Sequence, residues 1–388
     1  MEVYILDRLL RRIDLIDRFE SLIWTERWRA FGDFELVVVS TPMSRKKFTV
    51  NTLLAMNNSH RVMMVETVEN SLDAEGRAML TVKGPSMEMW MEDRLIAAGA
   101  NGSEGNKLTF DLPPAAIARN LFGMVAIDGL YSVHDKLPFY TPGSIFPAEN
   151  LLEPATAVFH EVDTTTLYDA IKDICDTYGL GFRIVRNQDE SQLMFNIYTG
   201  IDRTRNQTIY DAVVFSEKLG NLENITHYTT TAEAKNVCYV YAKNGRAIVY
   251  ADGVNTNIAG FDRKVMHLKA EGLDELPAGT DLTNKLIHQG KTALAKAKGI
   301  QAFDGEVPQR SNYIYGYHYN LGDLVEMQST DGAMNYMRVE EQIFVSDSEG
   351  ERSYPTLATE LFIEAGTWLA WDDTMTWSQA DFPWIDAI

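Results

Sequence analysis

The sequence predicts a β-rich α+β protein of several domains, with two related antiparallel β-barrel-like modules flanking an α+β insertion. Three observations carry this expectation. The chain has 388 residues, more than one ordinary hydrophobic core accommodates. "MMVETVENSLDAEG" at Met63–Gly76 and "MRVEEQIFVSDSEG" at Met337–Gly350 lie 274 residues apart and align without a gap, with six of fourteen positions identical. Short apolar runs separated by turn residues crowd both ends of the chain, whereas the middle holds an amphipathic helix. The expected boundaries are 1–100 for the first module, completed by strands around 207–235, then 101–206 for the insertion. The second module takes 207–365, with a helix at 281–298, and 366–388 form an acidic, tryptophan-rich tail.

Val3–Leu6 and Phe34–Val39 are β-branched or aromatic runs, and Gly32-Asp33 is a turn signal between strands. Leu9, Leu10, Ile13, Ile16 and Phe19 recur at near-helical spacing, so 9–19 fits either a helix or a strand, although strands suit its flanks. "TLLAM" leads through the turn residues "NNSH" into "RVMMVETVEN"; "SLDAEG" supplies turn chemistry before "RAMLTVK". "GPSMEMWMEDRLI" places Met87, Trp90, Met91 and Leu95 on one face of a short helix. A second helix is expected at "PPAAIARNLFG", with Pro in its first turn and Gly123 as its stop. The proline-rich stretch 137–154 reads as an ordered but irregular excursion.

The clearest helix is "TTTLYDAIKDICDTYG". Leu167, Ile171, Ile174, Cys175 and Tyr178 form its apolar stripe, the threonines offer a cap, and Gly179 stops it. "GFRIV" and "QLMFNIY" follow as paired strands. "NVCYVYAKNGRAIVYADG" carries Asn244-Gly245, a strong hairpin signal. "LTNKLIHQGKTALAKAK" is a helix ending near Gly299, and a further run of short strands follows it. In both copies of the repeat an apolar strand enters a turn, then a Met-x-Val-Glu strand, then a turn closing in Asp-x-Glu-Gly, then another strand. Two related β modules account for that shared order better than two unrelated hairpins.

A formal charge of −20 disfavours a nucleic-acid groove, which needs clustered Lys and Arg, but suits an acidic wall past which DNA slides. No apolar run is long enough to span a membrane, and the charged N-terminus lacks a secretory h-region. Cys175 and Cys238 read as buried thiols of a protein folded in a reducing cytoplasm. The usual nucleophile, dinucleotide, phosphate-loop and zinc motifs are missing, and the seven histidines have no metal-ligand spacing. No catalytic residue, cofactor or metal is therefore expected. Asp372-Asp373 lies among tryptophans, but adjacent carboxylates on a strand point to opposite faces. Trp368, Trp371, Trp377 and Trp384 are candidate partner contacts, or else they seal the last β module.

"YILDRLLRRIDLIDRFESLIWTERWRAFGDFELVV" resembles the opening of the tail-hub proteins of long-tailed bacteriophages and prophages of Gram-positive bacteria. Its Tyr-(apolar)-Leu-Asp strand, "SLIWTER" and "GDFEL" carry the likeness, with "RVMMVETVEN…EGRAMLTVKG", "MEMWMEDRLI" and "YNLGDLVEMQ" following in order. The resemblance covers nearly the whole chain. It implies a non-enzymatic homotrimer whose two modules per chain make a pseudo-six-fold ring, joining the tail tube to the tip around the DNA ejection channel. It further implies contacts with a distal tail protein, a tape-measure protein and receptor-binding or tip proteins, in a tail tip assembled in the host cytoplasm. The chain ends about where the hub alone is expected to end. A carbohydrate-binding or glycan-active β protein and the hub of a contractile injection device are the alternatives.

Overall fold

A computed structural model describes residues 1–96, 107–130, 132–137, 140–142, 155–160, 165–187, 192–251, 253–270, 273–274, 276–306, 313–328 and 334–361. They fall into two compact units: Met1–Thr229 with Ile300–Thr359, and a second built around Thr230–Gly299.

In the first unit, β1 (Val3–Leu6) and β2 (Arg12–Ile16) form an antiparallel pair. The 9–19 segment is therefore turn and strand. Asp7 accepts from the backbone N–H groups of Leu9 at 2.8 Å and Arg11 at 2.9 Å. This Asx-type bonding holds the turn in which Leu10 takes φ +62. β3 (Ser21–Arg27) pairs with β4 (Asp33–Val39), and α1 (Pro42–Lys47) follows a capping box from Thr41. Next come β5 (Leu53–Met56), β6 (Val62–Met64), β7 (Thr67–Leu72) and β8 (Ala78–Pro85). β2-β1-β5-β6 is one sheet, and β3-β4-β8-β7 belongs to another. Val3, Ile5, Leu54 and Met63 of the first share a core with Leu22, Trp24, Leu36 and Leu80 of the second. Alternation along each strand puts these residues on one face.

A 3-10 helix at Met87–Asp93 buries Met87 and Met91; Leu95, expected on the same face, is instead in β9 (Leu95–Ile96) and exposed. β10 (Lys107–Leu112) pairs with β12 (Ala155–His160), and β11 (Tyr140–Pro142) runs parallel to a later strand. α2 (Pro114–Phe122) does not stop at Gly123: the residue keeps right-handed dihedrals and a π-helical turn continues to Ile127. After β13 (Thr165–Thr166), α3 (Leu167–Tyr178) has Thr166 as N-cap and ends at Gly179 with φ +66. β14 (Gly181–Arg186) and β15 (Leu193–Tyr198) are antiparallel, with β11 on the far side of β15. Phe122 stacks on Phe195 at 4.1 Å within the core that these elements share.

The remaining first-unit strands are β16 (Val214–Ser216), β17 (Glu223–Thr230), β21 (Gly299–Glu306), β22 (Leu324–Gln328), β23 (Met334–Asp347) and β24 (Gly350–Leu361). The main sheet runs β7-β8-β4-β3-β23-β24-β21-β17, with β22 also on β23 and β16 on β22. Among the described residues no sheet closes on itself, which corrects the expectation of barrel-like modules. Its ladder ends at β7 on one side and β17 on the other.

The second unit is spliced between β17 and β21. β18 (Val237–Ala242) and β19 (Gly245–Tyr250) form a hairpin about Asn244-Gly245, and β20 (Val265–Lys269) runs parallel on the other side of β18. α4 (Thr280–Lys296) packs Leu282 and Leu286 against Cys238, Val240 and Val249. No helix of the described residues is long and apolar enough to cross a membrane.

Candidate functional site

The two copies of the repeat adopt the same pairing. Leu54 faces Met63 across β5 and β6, and Val325 faces Met337 across β22 and β23. Each copy then carries an irregularity at the same place. Met63 faces Ser86 while Thr67 faces Lys83, so one residue is extra on the first strand. Val339 faces Leu357 while Glu341 faces Thr356, again with one extra. The extra residue falls between Met63 and Thr67 in one copy and between Val339 and Glu341 in the other, so both intervals include the Val-Glu of the shared motif or its edge. A bulge bends its strand and raises the local twist, and a shared one is a feature of design rather than accident. Both hairpins close on a glycine at positive φ, +78 at Gly76 and +117 at Gly350. In both, an Asp three residues before the glycine binds an arginine side chain, Asp73 to Arg77 at 2.7 Å and Asp347 to Arg352 at 2.6 Å.

The seam between the modules is the β3–β23 ladder, where Leu22 faces Ser346 and Arg27 faces Glu341. Arg27 Nε donates to Glu341 Oε1 at 2.6 Å, Arg29 Nη2 donates to Glu340 Oε1 at 3.0 Å, and Arg27 also pairs with Asp33. Trp28 sits between these arginines in sequence and is 1% exposed. The guanidinium groups of Arg29 and Arg338 lie 4.6 and 4.7 Å from its ring centroid. Gly181 and Gly322 leave the space it fills: a Cβ at either would stand 2.0 or 2.6 Å from Trp28 Nε1. On the matching strand of the first copy, Glu66 and Thr67, the counterparts of Glu340 and Glu341, are exposed.

Behind the seam lies a cluster of buried charge that sequence reasoning missed. Arg61, 2% exposed, donates to Glu88 Oε1 at 2.6 Å and to the Arg27 carbonyl at 2.6 Å, and stands 3.9 Å from Glu26 Oε2. Glu26 accepts from Ser59 Oγ and, at 3.0 Å, from Tyr315 Oη; Glu88 also accepts from the Ile184 amide at 2.7 Å. Burial opposes the Arg61 charge, yet Glu88 and Glu26 more than compensate and hold its pKa above the ordinary arginine value. Burial and Glu26 raise the Tyr315 hydroxyl well above its ordinary value. The cluster ties β3, the β5–β6 turn, the 3-10 helix and β14 into one body. Charged residues within or beside apolar runs are the visible signal for it, but their partners are tens of positions away.

"YNLGDLVEMQ" is a second anchor. Asp323, 2% exposed, accepts from the amides of Ile201 at 2.8 Å and Asn320 at 3.0 Å and from Arg203 Nε at 2.8 Å. Glu326 takes both the amide and Nε of Arg205 at 2.7 Å. These carboxylates fasten the segment after β15 to β22.

Cys175 and Cys238 are buried free thiols. No group of His, Cys, Asp and Glu among the described residues has the geometry to hold a metal ion. Trp368, Trp371, Trp377 and Trp384, with Asp372 and Asp373, lie outside the described residues.

The model of the family described as "Siphovirus ReqiPepy6 Gp37-like protein" matches residues 2–356. A comparison with curated proteins finds no match. Among solved structures, the chain is similar to a tail protein from Neisseria meningitidis MC58, with a TM-score of 0.57, 10% identity, and 92% of this chain and 96% of that one covered. The 43 kDa tail protein of prophage MuSo2 from Shewanella oneidensis gives 0.55 at 11% identity, with 92% and 98% covered. Prophage tail protein gp18 from Listeria monocytogenes EGD-e gives 0.51 at 11%, with 95% and 97% covered. At such identities these structures speak to the fold alone. The chain belongs to the siphovirus ReqiPepy6 Gp37-like family, a family of phage tail proteins.

Proposed function

We propose that this tail protein is the hub of the tail tip, a homotrimeric pseudo-six-fold ring that joins the tail tube to the tip and surrounds the DNA ejection channel. The observation that carries the reading is the order of the main sheet. Read from one edge it is β7-β8-β4-β3 and then β23-β24-β21-β17. A hairpin entered through a one-residue register shift is followed each time by two strands, and chain order agrees: β3 and β4 precede β7 and β8 as β17 and β21 precede β23 and β24. The internal seam joins the last strand of one set, β3, to the first strand of the next, β23. Repeating that join between molecules sets β17 of one copy on β7 of its neighbour.

Such a head-to-tail interface makes a ring when its rotation closes. Strand addition supplies its hydrogen bonds. Three chains carrying two sets each give six similar units, which suits a partner of six-fold symmetry above and three-fold symmetry below. The same closure removes both free edges, which are otherwise sites of uncontrolled pairing. A distal tail protein, a tape-measure protein and receptor-binding or tip proteins are the partners on this reading, and the acidic charge of −20 lets DNA pass without adhering. The role is structural rather than catalytic.

Edge-strand variants and electron microscopy test the reading. Asp73 N–H binds the Arg77 carbonyl, so along β7 the N–H groups of Asn70 and Leu72 point away from β8. Asn70→Pro and Leu72→Pro each remove one outward donor while leaving the β7–β8 ladder intact. Negative-stain images of the wild-type chain should show three-fold rings with an open centre, and the proline variants folded particles without them. Wild-type particles lacking a rotational axis at every concentration would refute the proposal.

A further inference from the structure

One face of the Thr230–Gly299 unit is open. In its three-stranded sheet Cys238 and Val240 pack with α4, and the alternate residues Tyr239 and Tyr241 point the other way, 41% and 44% exposed. The strand registers set Ile248 and His267 on either side of Tyr239, and Arg246 and Lys269 on either side of Tyr241. Arg263 Nη2 donates to the Tyr239 hydroxyl at 3.1 Å. The face is thus a tyrosine-rich apolar surface bordered by cations, where Lys269 stands 3.8 Å from Asp274.

The charge of residues 230–299 is opposite to that of the rest of the chain. Residues 230–299 hold ten Lys and Arg against seven Asp and Glu, a balance of +3, which leaves −23 on the remainder of a chain of net charge −20. The composition of 362–388 is the complement of the open face. These 27 residues carry five carboxylates (Glu364, Asp372, Asp373, Asp381 and Asp386), no Lys or Arg, and four tryptophans.

We propose that 362–388 is the occupant of this face in its own chain, its tryptophans on Tyr239, Tyr241 and Ile248 and its carboxylates against Arg246 and Lys269. Large aromatics on tyrosines bury much area with favourable ring geometry, and tryptophan beside arginine adds a cation–π attraction. Charges of opposite sign steer and register the contact. These 27 residues are covalently joined to the chain that carries the face, so their contact with it is intramolecular and does not weaken on dilution. Own-chain docking thereby outcompetes a second copy at ordinary protein concentrations. The inference is independent of the ring.

Hydrogen exchange read by mass spectrometry on the full chain tests it. Amides of 368–384 should exchange at least about tenfold more slowly than in a free peptide of the same sequence. Arg246→Glu with Lys269→Glu, both at exposed positions, should return them to the free rate while α4 stays protected. Zero-length carbodiimide coupling of the wild-type chain gives an answer without any variant: Lys269 should link to Asp372 or Asp373. Free-rate exchange in the wild type, protection untouched by the double reversal, or protection that grows with protein concentration would each overturn the proposal. The last of these outcomes would place the segment on a second copy.

Discussion

Replacing Arg61 by methionine keeps the apolar stem and removes the guanidinium from the centre of the first unit. The side chains it serves are 0% exposed at Glu88 and 6% at Glu26, so water cannot take its place. Arg61→Met leaves the Glu88 carboxylate with the Ile184 amide as its remaining donor and strands the Arg27 carbonyl. Breaking a buried pair by removing one partner costs about 3–5 kcal/mol. Domain stability is of the order of 5–15 kcal/mol, so the loss is about a fifth or more of the total. At roughly 2 °C per kcal/mol for a unit of this size, Tm falls by about 6–10 °C. Calorimetry and urea titration on the same samples give the two readings. Adding Glu88→Gln removes the stranded charge but keeps an acceptor for Ile184, and it should restore about half of the loss. A single variant melting within about 1 °C of wild type would show that the cluster is hydrated, and the reasoning would fail.

Gly181→Ala and Gly322→Ala should each destabilise the first unit by several kcal/mol, because a new Cβ meets Trp28 at 2.0 or 2.6 Å and Gly322 also has φ +87; chemical denaturation that leaves either unchanged would contradict the packing. Burial pushes the Tyr168 hydroxyl up to about 12 and raises those of Tyr198, Tyr315 and Tyr319. A raised pKa contributes stability that is complete below about pH 10, the unfolded value, and is lost as pH climbs through the folded one. The chain should accordingly unfold steeply above pH 10, and Tyr168→Phe should flatten that limb; an identical alkaline profile would count against it. Hydrogen bonding from Lys47 holds the Asp14 carboxyl below its ordinary value. Its contribution is present above about pH 4 and fades below. Asp14→Asn should weaken the chain at pH 6 but not at pH 2, where equal losses would refute the link. Burial raises the Cys175 thiol, so a thiol reagent should find neither cysteine until urea unfolds the chain, and then two; fast labelling of the native protein would disprove their burial.

Local signals were legible where one segment decides its own structure. Thr166 and Gly179 bracket α3 because capping needs only nearby groups, and Asn244-Gly245 turns β18 into β19 for the same reason. The paired hairpins were visible because their turn chemistry and Met-x-Val-Glu strands recur together. Gly123 misled because glycine permits a stop without demanding one, and its φ of −58 continues the helix. The 9–19 segment stayed ambiguous because its apolar spacing fits two periods, and the Asp7 turn decided it. Glu26, Arg61 and Glu88 could not be paired from the sequence: each reads as a surface charge until β3, the β5–β6 turn and the 3-10 helix meet. Closure of the modules was over-read, since strand count and turn spacing do not separate a closed sheet from an open one.

The two strand sets treat the same corner differently. Between β3 and β4 the chain turns in the five residues Trp28–Gly32, whereas between β17 and β21 it runs through the whole 231–298 segment. A corner that accepts either length places few demands on what it carries. Its cargo can be exchanged while the strands that frame it keep their partners, so the insert can diversify there without disturbing the main sheet. Grafting a short turn in place of 231–298, or another small domain whose termini lie close together, is the corresponding route to a re-equipped tail protein.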